Sequence, residues 1–347
     1  MKRSALADIC CPDCNGRLSV FEEQLDEGGA IIEGELRCLS CLSKFPIRKG
    51  IPDLMPRGEV EAHKIREMHG WVSLWQKKGM YDISLPDTIF QVPYVDDGPV
   101  WSEVARMFEI ALEEMDLSGN ETILDVGAGQ GWTSRYFAER GCKVFAIDIV
   151  ADEWYGLGRS WALMEHAGVY FEPMLADGER LPFPAGRFDV VFFMAALHHF
   201  KHLDSLLKEV YRVLKPGGLL IAAGEPAISI FMTERDVQAM LEETDEGITE
   251  QRPKAFQYWW ALKQAGFQNV RIDTRETYRT TRAQVSNWIR LARRNLYPAV
   301  RTRYKPLAWL VPLLLLALPR TWAGFFMLSV NGANLIIRGY KPELENV

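Results

Sequence analysis

Residues 122–131 read Thr-Ile-Leu-Asp-Val-Gly-Ala-Gly-Gln-Gly, and the reading of this stretch decides the architecture of the chain. The apolar run TILDV has the character of a strand. It meets Gly127, Gly129 and Gly131, and then WTSRYFAERG, whose spacing is helical and which ends on Gly141. Glycines belong where a backbone turns sharply and approaches a ligand without a Cβ in the way. Strand, glycine loop and helix, in that order, open an α/β sheet that binds ligands at the carboxyl ends of its strands.

Such a loop can serve NAD, FAD or S-adenosylmethionine, and the spacing separates them. A dinucleotide fingerprint, G-x-G-x-x-G/A, wants Gly or Ala at position 132, where the helix packs beside a pyrophosphate. Position 132 is Trp, the glycines fall as G-x-G-x-G, and Asp125 precedes them at the strand end. That pattern suits a ligand with an amino-acid tail and no pyrophosphate. The second strand, CKVFAID, ends on Asp148, whose carboxylate can accept both hydroxyls of a ribose. Asp152 is better placed than Asp148 to cap the segment that follows. Asp177 follows a short strand and can accept from an adenine amino group. FDVVFFM then reads as a buried parallel strand, HLDSLLKEVYRVL as an amphipathic helix, KPGG as a turn and LLIAAGEP as the next strand. This alternation predicts a doubly wound, mostly parallel sheet.

Outward toward the N-terminus stand two CxxC pairs, Cys11 with Cys14 and Cys38 with Cys41. Each turn lets two thiolates converge on one ion, and two turns complete a closed tetrahedral shell. The intervening FEEQLDEGGAIIEGELRC reads as strand, Gly28-Gly29 turn, strand, the build of a zinc ribbon. With no open coordination position, the zinc would be structural. A thioredoxin-like redox pair would need one CxxC in a βαβ setting, and unliganded core cysteines are the plainer alternative. Cys10 and Cys142 read as ordinary thiols.

CPDCNGRL and LRCLSCLSKFPIRKGIPDLMP, within residues 6–56, resemble the small zinc-ribbon proteins that partner tRNA, rRNA and protein methyltransferases. From about residue 121 to 226, LDVGAGQG, the Asp148 strand end, ADGERLPFPAGRFDVV, ALHHF and EVYRVLKPGG resemble the class I S-adenosylmethionine-dependent methyltransferases that act mostly on small molecules. The resemblance implies an α/β fold with a seven-stranded, mostly parallel sheet beside a small N-terminal β zinc ribbon. It implies that Asp125, Gly127, Gly129 and Gly131 surround the methionine portion of the cofactor, that Asp148 binds ribose, and that Asp177 with Gly178 contacts adenine. The domains expected are a ribbon over 1–57, a helical linker and substrate lid over 58–118, and a methyltransferase domain over 119–347.

Methyl transfer from a sulfonium is an in-line displacement whose driving force the cofactor carries, so alignment matters more than a catalytic triad. The candidates facing the substrate are His198 and His199 after the fourth strand and Glu225 after the fifth. A histidine there can remove a proton near neutral pH. The plainer reading is a loop that packs on the cofactor and caps the next helix. Arg135 reads as a surface residue. An Asn/Asp-Pro-Pro-Tyr/Phe stretch, found in enzymes that methylate exocyclic base amines, is missing after the fourth strand.

AFQYWWALKQAGFQNVRIDT reads as a helix ending near Gly266 and the sixth strand, and NLIIRGYKP as an antiparallel seventh. Between them, over about 275–330, lies an insertion longer than a hairpin needs. Its basic residues, the apolar LAWLVPLLLLAL at 307–318 and aromatics up to Phe326 have the pattern of a monotopic membrane anchor over 290–326. A buried helix, a dimer interface or a substrate lid would use the same residues. The run is too short, and too interrupted by Pro312 and Pro319, for an ordinary spanning helix of roughly 20 residues. Upstream, Trp71, Trp75, Tyr94 and Trp101 could line a lid, although aromatics at such spacing more often belong to a core.

The chain has 347 residues and 48% hydrophobic content, so a packed core is expected. A formal net charge of -6 gives no global attraction to polyanions. No apolar stretch of signal-peptide length follows the N-terminus, so a cytoplasmic protein, in peripheral contact with a membrane if the insertion binds one, is expected. The favoured function is methyl transfer to an oxygen or carbon of a small or lipid-linked acceptor. An RNA methyltransferase is the alternative, and a methyltransferase fold without activity a third.

Overall fold

The computed structural model describes residues 1–56, 61–79, 86–95, 98–238, 247–248, 250–276, 328–329 and 332–343. Four antiparallel strands come first: β1 (Leu18–Leu25), β2 (Ile31–Cys38), β3 (Lys44–Arg48) and β4 (Ile51–Pro52). Helices α1 (Glu61–Lys78) and α2 (Gly98–Met115) lead into the large sheet. Its first half runs β5 (Thr122–Val126), α3 (Trp132–Glu139), β6 (Lys143–Asp148), α4 (Ser160–Ala167) and β7 (Glu172–Leu175). The second half runs β8 (Phe188–Met194), α5 (Leu203–Val213), β9 (Leu214–Ile228), α6 (Glu234–Gln238), α7 (Ala255–Gln264), β10 (Gln268–Asp273) and β11 (Gly332–Tyr340).

The seven strands lie in the order β10-β11-β9-β8-β5-β6-β7, parallel except for β11, which is antiparallel to both neighbours. This is the class I methyltransferase sheet that the motifs imply. The chain winds outward from β5 in one direction to β7 and in the other from β8. The crevice at the carboxyl end of β5 is therefore where the topology leaves room for a ligand.

Strand period two divides the core into two layers. Leu124, Val126, Phe145, Val191, Phe193 and Leu220 face one way, toward α5 and α7. Ile123, Val144, Ala146, Val190, Phe192 and Ile221 face the other, toward α2 and α3. Helix α5 shows why its sequence folds there: Leu206, Leu207, Val210 and Val213 fall on one buried stripe, while Asp204 and Lys208 stay in solvent. KPGG is not a separate turn. Residues 215–218 lie inside the long strand β9, where Gly217 at φ 77° absorbs an irregularity in its pairing with β8.

The small sheet shares a core with the large one, Ile9, Leu18, Phe45 and Leu54 being continuous with Phe145 and Met174. Backbone bonds join them: the Leu54 amide donates to the Leu175 carbonyl at 2.8 Å and Cys10 to Pro182 at 2.9 Å. The buried carboxylate of Asp8 takes Lys143 at 2.5 Å and pairs with Arg187. Because Leu175 ends β7, the ribbon braces the strand that leads directly to Asp177.

Arg135 differs from its sequence reading. It is 3% exposed and donates to the carbonyls of Phe90 at 2.8 Å and Val92 at 3.4 Å. It therefore ties the segment before α2 onto α3, a contact that helix periodicity cannot reveal. Among the described residues, no helix is long and apolar enough to cross a membrane. The proposed anchor over 290–326 lies outside the described residues, as does nearly all of the 275–330 insertion.

Candidate functional site

Two polar centres emerge where the sequence places its signals. At the first, the turns before β1 and after β2 bring Cys11, Cys14, Cys38 and Cys41 together, with all four sulfurs within 4.8 Å of one another. Cys11 Sγ lies 3.6 Å from Cys41 Sγ, and Cys14 Sγ 3.5 Å from Cys38 Sγ. Zn–S bonds of about 2.3 Å in a tetrahedron set sulfurs about 3.8 Å apart, so the set fits one zinc ion. The amides of Ser40 and Cys41 both donate to Cys38 Sγ at 3.4 Å, which fixes its position in the turn. Without metal the thiols differ: burial raises the pKa of Cys11, whereas bonds from Ser43 lower that of Cys41 to about 6.

The second centre is a cavity of about 280 Å³ at the carboxyl end of β5. Gly127, Gly129, Asp148 and Gly178 lie on its wall. Gly129 sits at φ 55° with open space where a Cβ would stand, so its backbone is presented to a ligand. At Gly127 the constraint is packing, since an added Cβ would come within 2.6 Å of Ala196 Cβ. The Gly129 amide donates to Asp148 Oδ2 at 2.8 Å and the Val150 amide to Oδ1 at 2.9 Å. Each carboxylate oxygen then keeps a lone pair for a hydroxyl, which fits a ribose diol. Burial pushes the Asp148 carboxyl up, and the two amides hold it down.

Asp125, Gly131 and Asp177 stand behind the wall. Asp125 is 1% exposed and accepts from Thr133 at 2.5 Å and Ser134 at 2.6 Å, both on Oδ2. Its Oδ1 is buried without a hydrogen-bond partner, and burial raises its pKa to about 6. An orphaned carboxylate oxygen beside the glycine loop is what the ammonium of an amino-acid tail would satisfy. Asp177 accepts from the Glu179 amide at 3.0 Å, and its Oδ1 lies 3.7 Å from Lys64 Nζ. These groups fit S-adenosylmethionine: a diol acceptor at Asp148, an unfilled anion at Asp125 and a glycine free of a side chain between them.

The opposite wall comes from the helices before the sheet. Lys64, Glu67, Trp71 and Trp75 recur at helical spacing along one face of α1, and all four line the cavity, as does Trp101 of α2. Of the aromatics weighed between lid and core, Trp71, Trp75 and Trp101 face the cavity. Tyr94 is 51% exposed and packs on Tyr136. Burial acts against the charge of Lys64, but Asp177 and Glu67 hold its pKa up.

His198, His199 and Glu225 come together, in unequal roles. Glu225 is fully buried and accepts the amides of Ala196 and Leu197 at 3.0 Å and of His198 at 3.1 Å. It also takes His198 Nδ1 at 2.8 Å. With its lone pairs so occupied, Glu225 shapes the loop after β8. His198 is 7% exposed, and burial lowers its pKa. His199 alone of the three reaches the cavity, its ring edge-on to Trp71 at 4.5 Å. Sequence reading missed Glu250, whose side chain is 3% exposed and whose Oε2 lies 3.1 Å from His199 Nδ1. Burial would raise the Glu250 carboxyl, but His199, His198 and Arg252 bring its pKa below the ordinary value. No local motif marks it.

Residues 124–222 match the family described as methyltransferase domain. Within this region the chain is 40% identical over 108 residues to the ubiquinone/menaquinone biosynthesis C-methyltransferase UbiE of Neisseria meningitidis serogroup C, covering 30% of this chain and 43% of the relative. It is 36% identical over 98 residues to a malonyl-[acyl-carrier protein] O-methyltransferase of Enterobacter lignolyticus, covering 28% of this chain and 36% of that one. The chain thus spans less than half the length of these relatives. In structure it is similar to phosphoethanolamine N-methyltransferase 2 of Haemonchus contortus in complex with S-adenosyl-L-methionine. That match has a TM-score of 0.51 at 16% identity and covers 86% of this chain and 62% of the other, a likeness of fold.

Proposed function

We propose that this protein is an S-adenosylmethionine-dependent methyltransferase that methylates an oxygen or carbon of a small or lipid-linked acceptor. One observation carries the reading: a cavity with Gly127, Gly129, Asp148 and Gly178 on one wall and the side chains of Trp71, Trp75 and Trp101 on the other. The bound cofactor supplies a methyl group on a cationic sulfur. Asp148 holds the ribose, Asp125 pairs with the ammonium, and Asp177 with Gly178 borders the adenine. Trp71, Trp75 and Trp101 exclude water and offer π faces to a cationic or flat partner. Of His198, His199 and Glu225, His199 is the one that lines the cavity, its ring against Trp71.

Alignment of the nucleophile behind the methyl group is the main task of such a pocket. An RNA acceptor would call for cations to meet its phosphates. Among the described residues the cavity wall supplies Lys64, which already faces Asp177 and Glu67. The lipid-linked part of the proposal rests on the sequence of 290–326. Calorimetric titration of the zinc-loaded protein with S-adenosylhomocysteine tests the cofactor assignment, and transfer of labelled methyl into lipid extracts or RNA tests the acceptor. Binding by the wild type that is lost in Asp148→Ala is expected. A folded wild type that fails to bind would sink the enzyme reading.

A further inference from the structure

At the edge of the cavity, where His199 lines it, His198, His199 and Glu250 form a cluster that alignment of a methyl donor does not require. One donor atom from each lies within 4.8 Å of the others. Glu250 Oε2 is 3.6 Å from His198 Nε2 and 3.1 Å from His199 Nδ1. Nitrogen and oxygen ligands at about 2.0–2.2 Å from one ion, in cis positions, stand about 3.0–3.5 Å apart. The His199–Glu250 distance falls in that range and the His198–Glu250 distance lies just beyond it.

The hydrogen bonding around the cluster points the same way. Glu225 accepts three backbone N–H groups and also lies 2.8 Å from His198 Nδ1, so its hydrogen-bonding capacity is spent on the loop that carries both histidines. His198 Nδ1 is engaged by Glu225, and Nε2 faces Glu250 Oε2 at 3.6 Å. With Nδ1 held by Glu225, Nε2 is the ring nitrogen of His198 that is placed to share an ion with Glu250 Oε2. A histidine whose second nitrogen donates to a carboxylate is also the usual arrangement behind a metal ligand. Arg252 Nε occupies the other oxygen of Glu250 at 2.8 Å, which leaves Oε2 as a single donor.

We infer that His198, His199 and Glu250 bind a divalent first-row transition-metal ion, with Glu225 orienting His198. Two imidazoles and a carboxylate suit Zn²⁺, Co²⁺, Fe²⁺ or Mn²⁺ and leave coordination positions open. The site stands on donor geometry and is independent of the methyl-transfer reading. If that reading also holds, His199 acts as a ligand rather than a base, and the ion lies beside the acceptor. An acceptor with an ionisable oxygen is then favoured.

The test is Co²⁺ reconstitution of the full metal-depleted chain, followed by metal content and visible absorption. The wild type is expected to take up two equivalents. One gives the intense sulfur-to-cobalt band of the four-cysteine site, and the other gives weaker bands of nitrogen and oxygen ligation. Glu250→Gln and His198→Asn are each expected to lose the second equivalent while the thiolate band stays, which also reports an intact ribbon. A wild type that takes up one equivalent, or a Glu250→Gln protein that still takes up two, overturns the inference. Asp148→Ala separates this inference from the cofactor assignment, since it is expected to keep both equivalents and lose S-adenosylhomocysteine.

Discussion

The ribbon and the glycine loop are both tight turns that gather polar atoms for one small ligand, yet they are opposite in design. In the ribbon four sulfurs converge on a single point, so an ion held there would have a closed shell and its binding energy would be folding energy. At the glycine loop the donors form one wall of a cavity, and the other wall comes from helices far away in sequence. A closed shell stabilises, and an open wall selects. Removing a ribbon ligand should therefore damage the fold, whereas removing a loop ligand should damage binding and leave the fold standing.

Cys38→Ser, or removal of zinc with a chelator, carries the largest expected effect. Structural zinc is worth on the order of 10 kcal/mol in isolated fingers. The ribbon shares its core with β7, so a fall in Tm of roughly 10 °C or more is expected by calorimetry. An unchanged Tm would erase the distinction between the two centres. Asp148→Ala comes next, with the contrast reversed. Loss of charge-assisted bonds to a ribose should weaken S-adenosylhomocysteine binding by about 30- to 100-fold, with Tm moving by only a few degrees. A variant that unfolds instead would make Asp148 a structural clamp for Gly129.

The orphaned oxygen of Asp125 sharpens the comparison through pH. Its pKa is raised by burial from an ordinary 3.8 to about 6, so the fold takes up a proton in that window. The carboxyl's contribution to stability is complete below its ordinary value and is lost as pH rises through about 6. Cofactor binding runs the other way, because an ammonium favours the ionised form. Affinity for S-adenosylhomocysteine should rise about tenfold between pH 5 and 7, and this rise should vanish in Asp125→Asn. A flat profile in the wild type would remove Asp125 from the methionine site. Trp71→Ala should have the smallest effect on cofactor affinity, about three- to tenfold, because the residue supplies apolar cover on the far wall.

That the four cysteines meet and that the glycine loop borders a cavity was legible in the sequence for one reason. CxxC and G-x-G-x-G place their ligands within one turn of chain, so local spacing is also spatial spacing. The same is true of Asp148 and Asp177, each at the end of a strand recognisable by its apolar run. Legibility fails where the contact is distant. Arg135 has the look of a surface residue on its own helix and is buried because residues 90–92 fold over it. Glu225 is a plausible base by position alone, and only its four hydrogen bonds to Ala196, Leu197 and His198 make it a brace for the loop. The three tryptophans have core-like spacing, and their exposure to a cavity depends on where α1 and α2 come to rest.

By itself the sequence determined the sheet, the meeting of the four cysteines and the placement of Gly127, Gly129 and Asp148 at the strand ends, since backbone turns and strand periodicity are local properties of the chain. Only the tertiary structure decided that the ribbon braces β7, that α1 supplies the aromatic wall, and that Glu250 meets His198 and His199. Those contacts join residues 50 or more positions apart, or span separate elements, and side-chain packing selects them among many partners that the sequence would equally allow.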